Sequence, residues 1–159
     1  MKVSKKTIKT QRSIIERRLQ KWAALKGEMP PKSGWIKAIR GALGMSTYQL
    51  AKLMDLSQAS VSELEKREER AGVSLDSLQK AARAMNCKLV YAMLPADQYD
   101  SLDAIISERA EKLAKKILLK VEHSMELEKQ GSEITASEIK KLSEELKNDA
   151  DSRIWEVDK

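Results

Sequence analysis

One cysteine and one histidine stand in a chain of 159 residues, and each scarcity removes a class of chemistry. Cys87 has no partner for an internal disulfide, and with His123 as the single imidazole there is no thiolate and histidine set for zinc. Cys87 is expected to be a small, buried, apolar residue. No apolar run approaches the roughly 20 residues that cross a bilayer. The start Met1-Lys2-Val3-Ser4-Lys5-Lys6 leads into more charge and not into an apolar signal segment, so a cytoplasmic chain without a membrane part is expected. There is no Gly-rich phosphate loop and no nucleophile paired with a base, so we expect no enzyme and no cofactor. His123 reads as a helix-face residue in a packing or surface contact. Internal repeats and low-complexity tracts are also lacking.

What is present is charge, at 34% of residues, beside 42% hydrophobic residues. That balance allows one modest core with an appended second unit. The net charge of +6 is unevenly spread: residues 1–33 hold ten Lys/Arg against two acids, residues 34–95 nine against six, and residues 96–159 eleven against sixteen. Such polarity suggests that one end meets a polyanion and the other something else, if a recognition element lies nearby.

The pattern predicts four segments. In residues 1–33, Ile8, Ile14, Ile15, Leu19, Trp22 and Ala23 recur among Lys and Arg at helical intervals from Thr7 to about Leu25, a basic amphipathic helix that Gly27 and Pro30-Pro31 end. That helix could grip phosphates, lie on a membrane surface or cover a protein; Trp22 and the isoleucines favour packing on protein with the cations outward. Residues 34–86 read as short, tightly capped helices. Ser46 with Gln49 forms a capping box, and Met45/Leu50, Leu56/Val61 and Val73/Leu78 form hydrophobic staples. In residues 87–95 the run Cys87 to Leu94 is nearly all apolar and reads as one strand, whose Leu89, Val90, Tyr91, Ala92 and Met93 would pair with the same strand of a second copy in a symmetric homodimer. Residues 96–159 form an acidic helical module. Leu102, Ile106, Ala110, Leu113, Ile117, Val121 and Met125 mark one long helix, with Asp100 as a weak cap, and Thr135 with Glu138 opens another that carries Ile139, Leu142 and Leu146. The end, Ile154 to Val157, docks or frays.

Within residues 34–86, two helices joined by one tight turn suit insertion into the major groove. Ala51 is small enough for a close crossing, Asp55 takes the turn, and Val61 plugs the angle, with Leu50, Leu53 and Leu64 completing the shared core. If Val61 and Leu64 face inward, Gln58, Ala59, Ser62, Glu63 and Lys66 face outward. Gln58 can bond an adenine edge twice, Ala59 can touch a thymine methyl, and Glu63 can accept from cytosine. Ser46, Thr47, Tyr48, Ser57 and Ser60 stand at helix starts suited to phosphate, and Arg40, Lys66, Arg67 and Arg70 can add backbone contacts. Glu65 and at least one neighbouring acid are expected to pair internally.

Residues from about Gly34 to Asn86 resemble the phage-repressor-like helix-turn-helix domain, with Thr47 where that family frequently has Gln. The blocks Pro30 to Arg40, Leu89 to Ala92 and Val121 to Glu128 are similar to the family called mobile mystery protein A, over nearly the whole chain. That resemblance implies a mainly α fold, a compact helix-turn-helix domain with an intersubunit strand and helical extensions. It also implies a DNA-binding transcriptional regulator, encoded beside a Fic-domain protein and acting as an antitoxin in a toxin-antitoxin pair; two copies on a twofold axis predict a palindromic operator. The alternative is an antitoxin that works mainly by binding a toxin through its C-terminal helices. Ser124 and Glu128 share a spacing with the inhibitory helix of some Fic inhibitors, although Lys129 departs from that pattern, and short spacings match by accident.

Overall fold

The computed structural model describes residues 4–127 and 134–157, and all regular secondary structure among them is helical, with no strand. The α-helices are α1 (Lys5–Leu19), α2 (Trp35–Ala42), α3 (Thr47–Met54), α4 (Gln58–Glu69), α5 (Leu75–Ala84), α6 (Leu102–Leu127) and α7 (Ala136–Asn148); 3-10 helices run Gln20–Leu25 and Ser152–Glu156. They sort into two compact units, one of Gly27–Ala92 and the other of Met1–Lys26 with Met93–Lys159. Among the described residues no helix is long and apolar enough to cross a membrane.

In the unit of Gly27–Ala92, α2 to α5 surround a core of Ile36, Leu50, Ala51, Val61, Leu64, Ala81 and Met85, with Cys87 half-buried against it. Leu50 and Val61 are completely enclosed. Leu53 departs from expectation, because it is 59% exposed on the outer side of α3 and contributes nothing to this core. The starts of α3, α4 and α5 are each fixed by a hydroxyl. Ser46 and Gln49 exchange both bonds of a capping box, Ser57 Oγ accepts from the Ser60 amide, and Ser74 Oγ accepts from Ser77. The start of α2 lacks such a hydroxyl and is closed instead by a distant side chain: the Glu68 carboxylate accepts from the amides of Trp35 and Ile36, both at 2.9 Å. A carboxylate there satisfies orphan donors and opposes the positive end of the helix.

The helix ends share one device. At α3 the Leu56 amide reaches back to the Ala51 carbonyl across Asp55, at α4 that of Gly72 to Arg67 across Ala71, and at α5 that of Cys87 to Ala82 across Asn86. The residue crossed is left-handed each time, with φ of 55°, 54° and 55°. This closure consumes the last carbonyls and turns the chain within two residues, which is why the α3–α4 and α4–α5 connections can be so short.

Residues 87–94 carry no regular secondary structure, which corrects the expectation of a strand within the chain. A strand is defined by its ladder, and this segment meets no second segment: the backbone of Leu89–Leu94 makes no hydrogen bond to any described residue. Val90, Tyr91 and Met93 are 58%, 67% and 86% exposed.

In the other unit α6 and α7 pack side by side over Ala110, Leu113, Ala114, Leu146 and Ile154. Ala110 and Ala114, four apart, present backbone-sized bumps that let α7 approach, and Ile154 docks the final 3-10 helix. Ser101 is the cap of α6, its Oγ accepting from Ala104, where Asp100 was expected. The basic helix α1 also lies differently from expectation. Its cations Lys5 and Arg12 pair with Asp149 and Asp103, at 2.6 and 3.2 Å, and Lys9 bonds Asn148, whereas Ile14 and Ile15 stay 45% and 43% exposed. Glu16 accepts from the Asp103 amide at the start of α6, and Lys147 joins Asp103 from α7. Ile8, Leu19 and Trp22 are half-buried, so ion pairs toward α6 and α7 act together with only part of the apolar side of α1. His123 is exposed on α6; Glu128 lies outside the described residues, as does the stretch that follows it to Glu133.

Candidate nucleic-acid interface

The rotation of α4 decides which side chains can leave the protein. At 100° per residue, the buried Val61, Leu64 and Glu65 and the half-buried Glu68 fall on one arc, which leaves Ala59, Glu63 and Lys66 on the opposite side. Gln58, Ala59, Glu63, Lys66 and Arg67 are exposed, and Ser62 is half-buried at the margin. Gln58, Glu63 and Lys66 have no partner among the described residues, so their polar ends are free to be matched from outside. Arg67 donates from Nε to the Gly72 carbonyl at 3.2 Å, which fixes its stem beside the end of α4.

Ala51 is 3% exposed and Val61 fully buried where α3 meets α4, and Asp55 supplies the left-handed turn with φ 55° and ψ 45°. A larger residue at position 51 would push the two helices apart, and a residue less tolerant of that backbone would strain the turn.

The helix starts offer donors in a different form from the one the sequence suggests. The hydroxyls of Ser46, Ser57 and Ser60 are engaged in capping, with Ser57 and Ser60 sharing a bond of 2.7 Å. The amides of Thr47 and Tyr48, and of Gln58 and Ala59, have no acceptor among the described residues. Two helix ends thus present backbone N–H pairs, each at the positive pole of a helix.

Arg40 is turned inward. Its Nε and Nη2 donate to both oxygens of Glu65, at 2.6 and 3.2 Å, and Nη1 donates to the Met45 carbonyl at 2.9 Å. Its side chain is 15% exposed and that of Glu65 8%. The Glu65 hydrogen bond raises the Arg40 pKa above its ordinary value. Arg40 therefore clamps α2 to α4 and fixes the turn before α3, so its contact with a phosphate, expected from the sequence, would require breaking a buried pair. Glu65, Glu68 and, in a looser ion pair with Lys37 at 3.8 Å, Glu69 have internal partners, in agreement with the expectation that some of the glutamates on α4 would be absorbed.

One cation was missed. Lys52 stands 4.7 Å from the centre of the Tyr48 ring, on the outer side of α3, and Tyr48 is 54% exposed. The separation of four between an aromatic and a cation was the available signal.

Residues 36–91 match the family model described as helix-turn-helix, a match that runs from α2 through the exposed Tyr91. No curated protein and no solved structure matches the chain. Packing and family model together define this segment as a helix-turn-helix domain, the type found in phage-repressor-like DNA-binding transcription regulators.

Proposed function

We propose that the chain is a sequence-specific transcriptional regulator that binds a palindromic operator as a homodimer and serves as the autoregulating antitoxin of a Fic-type toxin, as its resemblance to mobile mystery protein A implies. One observation carries the DNA-binding part. The outer arc of α4 bears Ala59, Glu63 and Lys66, Gln58 is exposed in its first turn, and the starts of α3 and α4 carry unbonded amides. Side chains of mixed donor and acceptor character read base edges, while amides and cations hold phosphates. The Leu89–Met93 run, exposed from Val90 onward and with its backbone unbonded among the described residues, supports pairing with a second copy, which would set half-sites roughly 34–36 Å apart. A regulator of this kind works by binding, and we assign it no catalytic step.

The test is a gel shift on the DNA upstream of its own gene, across a salt series. Gln58→Ala should weaken operator binding by about 1–3 kcal/mol and relax preference at one base pair. Equal loss on operator and random-sequence duplex would refute the assignment of α4 as the reader.

A second reading, a protein-interaction antitoxin that neutralises its toxin through the C-terminal helices, is favoured by the exposed Leu119, Val121 and Trp155, at 58%, 49% and 53%. Co-elution with the adjacent Fic protein that survives Gln58→Ala supports it. Failure to co-elute leaves the regulator alone.

A further inference from the structure

Helix α1 sorts its cations by face. Lys5, Lys9 and Arg12 lie with Glu16 on one arc and are engaged by Asp149, Asn148 and Asp103. Lys6 and Arg17 lie about a quarter turn further round the helix, within about 20° of each other at 100° per residue, with the exposed Thr10 and Ser13 on the same side. Arg18 and, in the following 3-10 helix, Lys21 extend the exposed basic side. None of these four cations has a partner among the described residues, and Glu16, the acid of α1, is turned to the other arc. The acids of the C-terminal helices are thus met by one set of cations while a second set of single sign stays in solvent.

We propose that Lys6, Arg17, Arg18 and Lys21 form a second, sequence-independent DNA contact that grips phosphates flanking the operator. The proposal rests on the helix-turn-helix unit binding DNA. Lys6 and Arg17 span about 16 Å along the helix axis, over which a duplex offers about ten phosphates, enough to engage all four cations. Thr10 and Ser13 add hydroxyls of the kind that bond phosphate oxygens. A membrane surface is the poorer fit, since an interfacial helix needs a broad, free apolar face, whereas the apolar stripe of Ile8, Ile15 and Leu19 is narrow, half-buried at Ile8 and Leu19, and bordered by Lys5, Lys9, Arg12 and Glu16. Residues 26–34, reaching at most about 30 Å, tether this face to the domain that reads the operator and keep both contacts on one duplex.

The experiment uses the full chain carrying Lys6→Gln, Arg17→Gln, Arg18→Gln and Lys21→Gln, with binding measured across a salt series on upstream DNA and on a random-sequence duplex. The slope of log affinity against log salt should fall by about 3–4 per chain on both, and the ratio of operator to random affinity should stay unchanged. A companion variant, Lys6→Arg with Lys21→Arg, should keep the wild-type slope, and circular dichroism should report the same helix content for all three proteins. An unchanged slope in the fourfold variant overturns the proposal. So does tighter binding of the wild type to vesicles of phosphatidylserine and phosphatidylcholine than to the duplex, lost in the variant, which would make the face a membrane contact. Failure of the wild type to bind any duplex is a separate result and would remove the regulator reading itself.

Discussion

A β-carbon added to Gly34 would lie 2.6 Å from Oε2 of Glu68, and its φ of 76° with ψ of 162° belongs to backbone that only glycine adopts readily. The glycine is there because Glu68 must come close enough to bond the first amides of α2. Gly34→Ala should lower stability by about 1–3 kcal/mol, read as a fall in the thermal midpoint. A midpoint within experimental error of the wild type would show that Glu68 does not close that helix. Ala71 presents the opposite case: a residue with a β-carbon holds a φ of 54° at the end of α4. Ala71→Gly should gain about 0.5–1 kcal/mol, because relief of left-handed strain exceeds the added freedom of the unfolded chain. Urea titration of the two proteins would decide it. Asp55 and Asn86 hold the same conformation, but their short polar side chains tolerate it, and both positions were better suited to being recognised as turns than Ala71 was.

At the scale of the element, the helices begin where small hydroxyl residues say they should. Ser46, Ser57, Ser74 and Thr135 each bond the amide three residues on, and the reciprocal bonds of Gln49 and Glu138 complete two capping boxes. These bonds are local, so spacing alone reveals them. Ser57→Ala should cost about 1 kcal/mol of stability, and because the same cap sets the first turn of α4, operator affinity should drop with it. Stability lost without any change in operator affinity would separate the cap from recognition. The exposed face of α4 was legible for the same reason: once Val61 and Leu64 are buried, helical geometry leaves little choice for Ala59, Glu63 and Lys66. Leu53 and Arg40 were not legible. An apolar residue near a core and a cation near a recognition helix look alike in sequence whether they turn in or out; what turned Arg40 inward is Glu65, twenty-five residues away and buried. The segment 87–94 shows a related limit, since strand-favouring residues state a preference that a ladder must satisfy, and the described residues provide none.

At the scale of the molecule the described residues form two separate cores, one around Leu50 and Val61 and the other around Ala110 and Leu146. Each is contributed by its own unit, so unfolding should occur in two separable steps. Leu50→Ala and Leu146→Ala should each lower one step by about 2–5 kcal/mol and leave the other in place. One transition that both substitutions shift equally, followed by calorimetry, would show a single cooperative fold. The charge imbalance of the sequence has its explanation at this scale as well. The basic start and the acidic end belong to one unit, where Lys5, Lys9 and Arg12 meet the helices of the C-terminal part. Counting charges along the chain foretold the asymmetry but not its internal use.

The sequence by itself determined where most helices start, which arc of α4 is apolar, and the turn at Asp55, because all of these follow from interactions within a few residues. The tertiary structure alone decided that Glu68 closes α2, that Arg40 is committed to Glu65, that Leu53 stays outside the core and that α1 divides its cations between two faces. Those outcomes depend on which distant group arrives at 3 Å, and a periodic pattern carries no record of that.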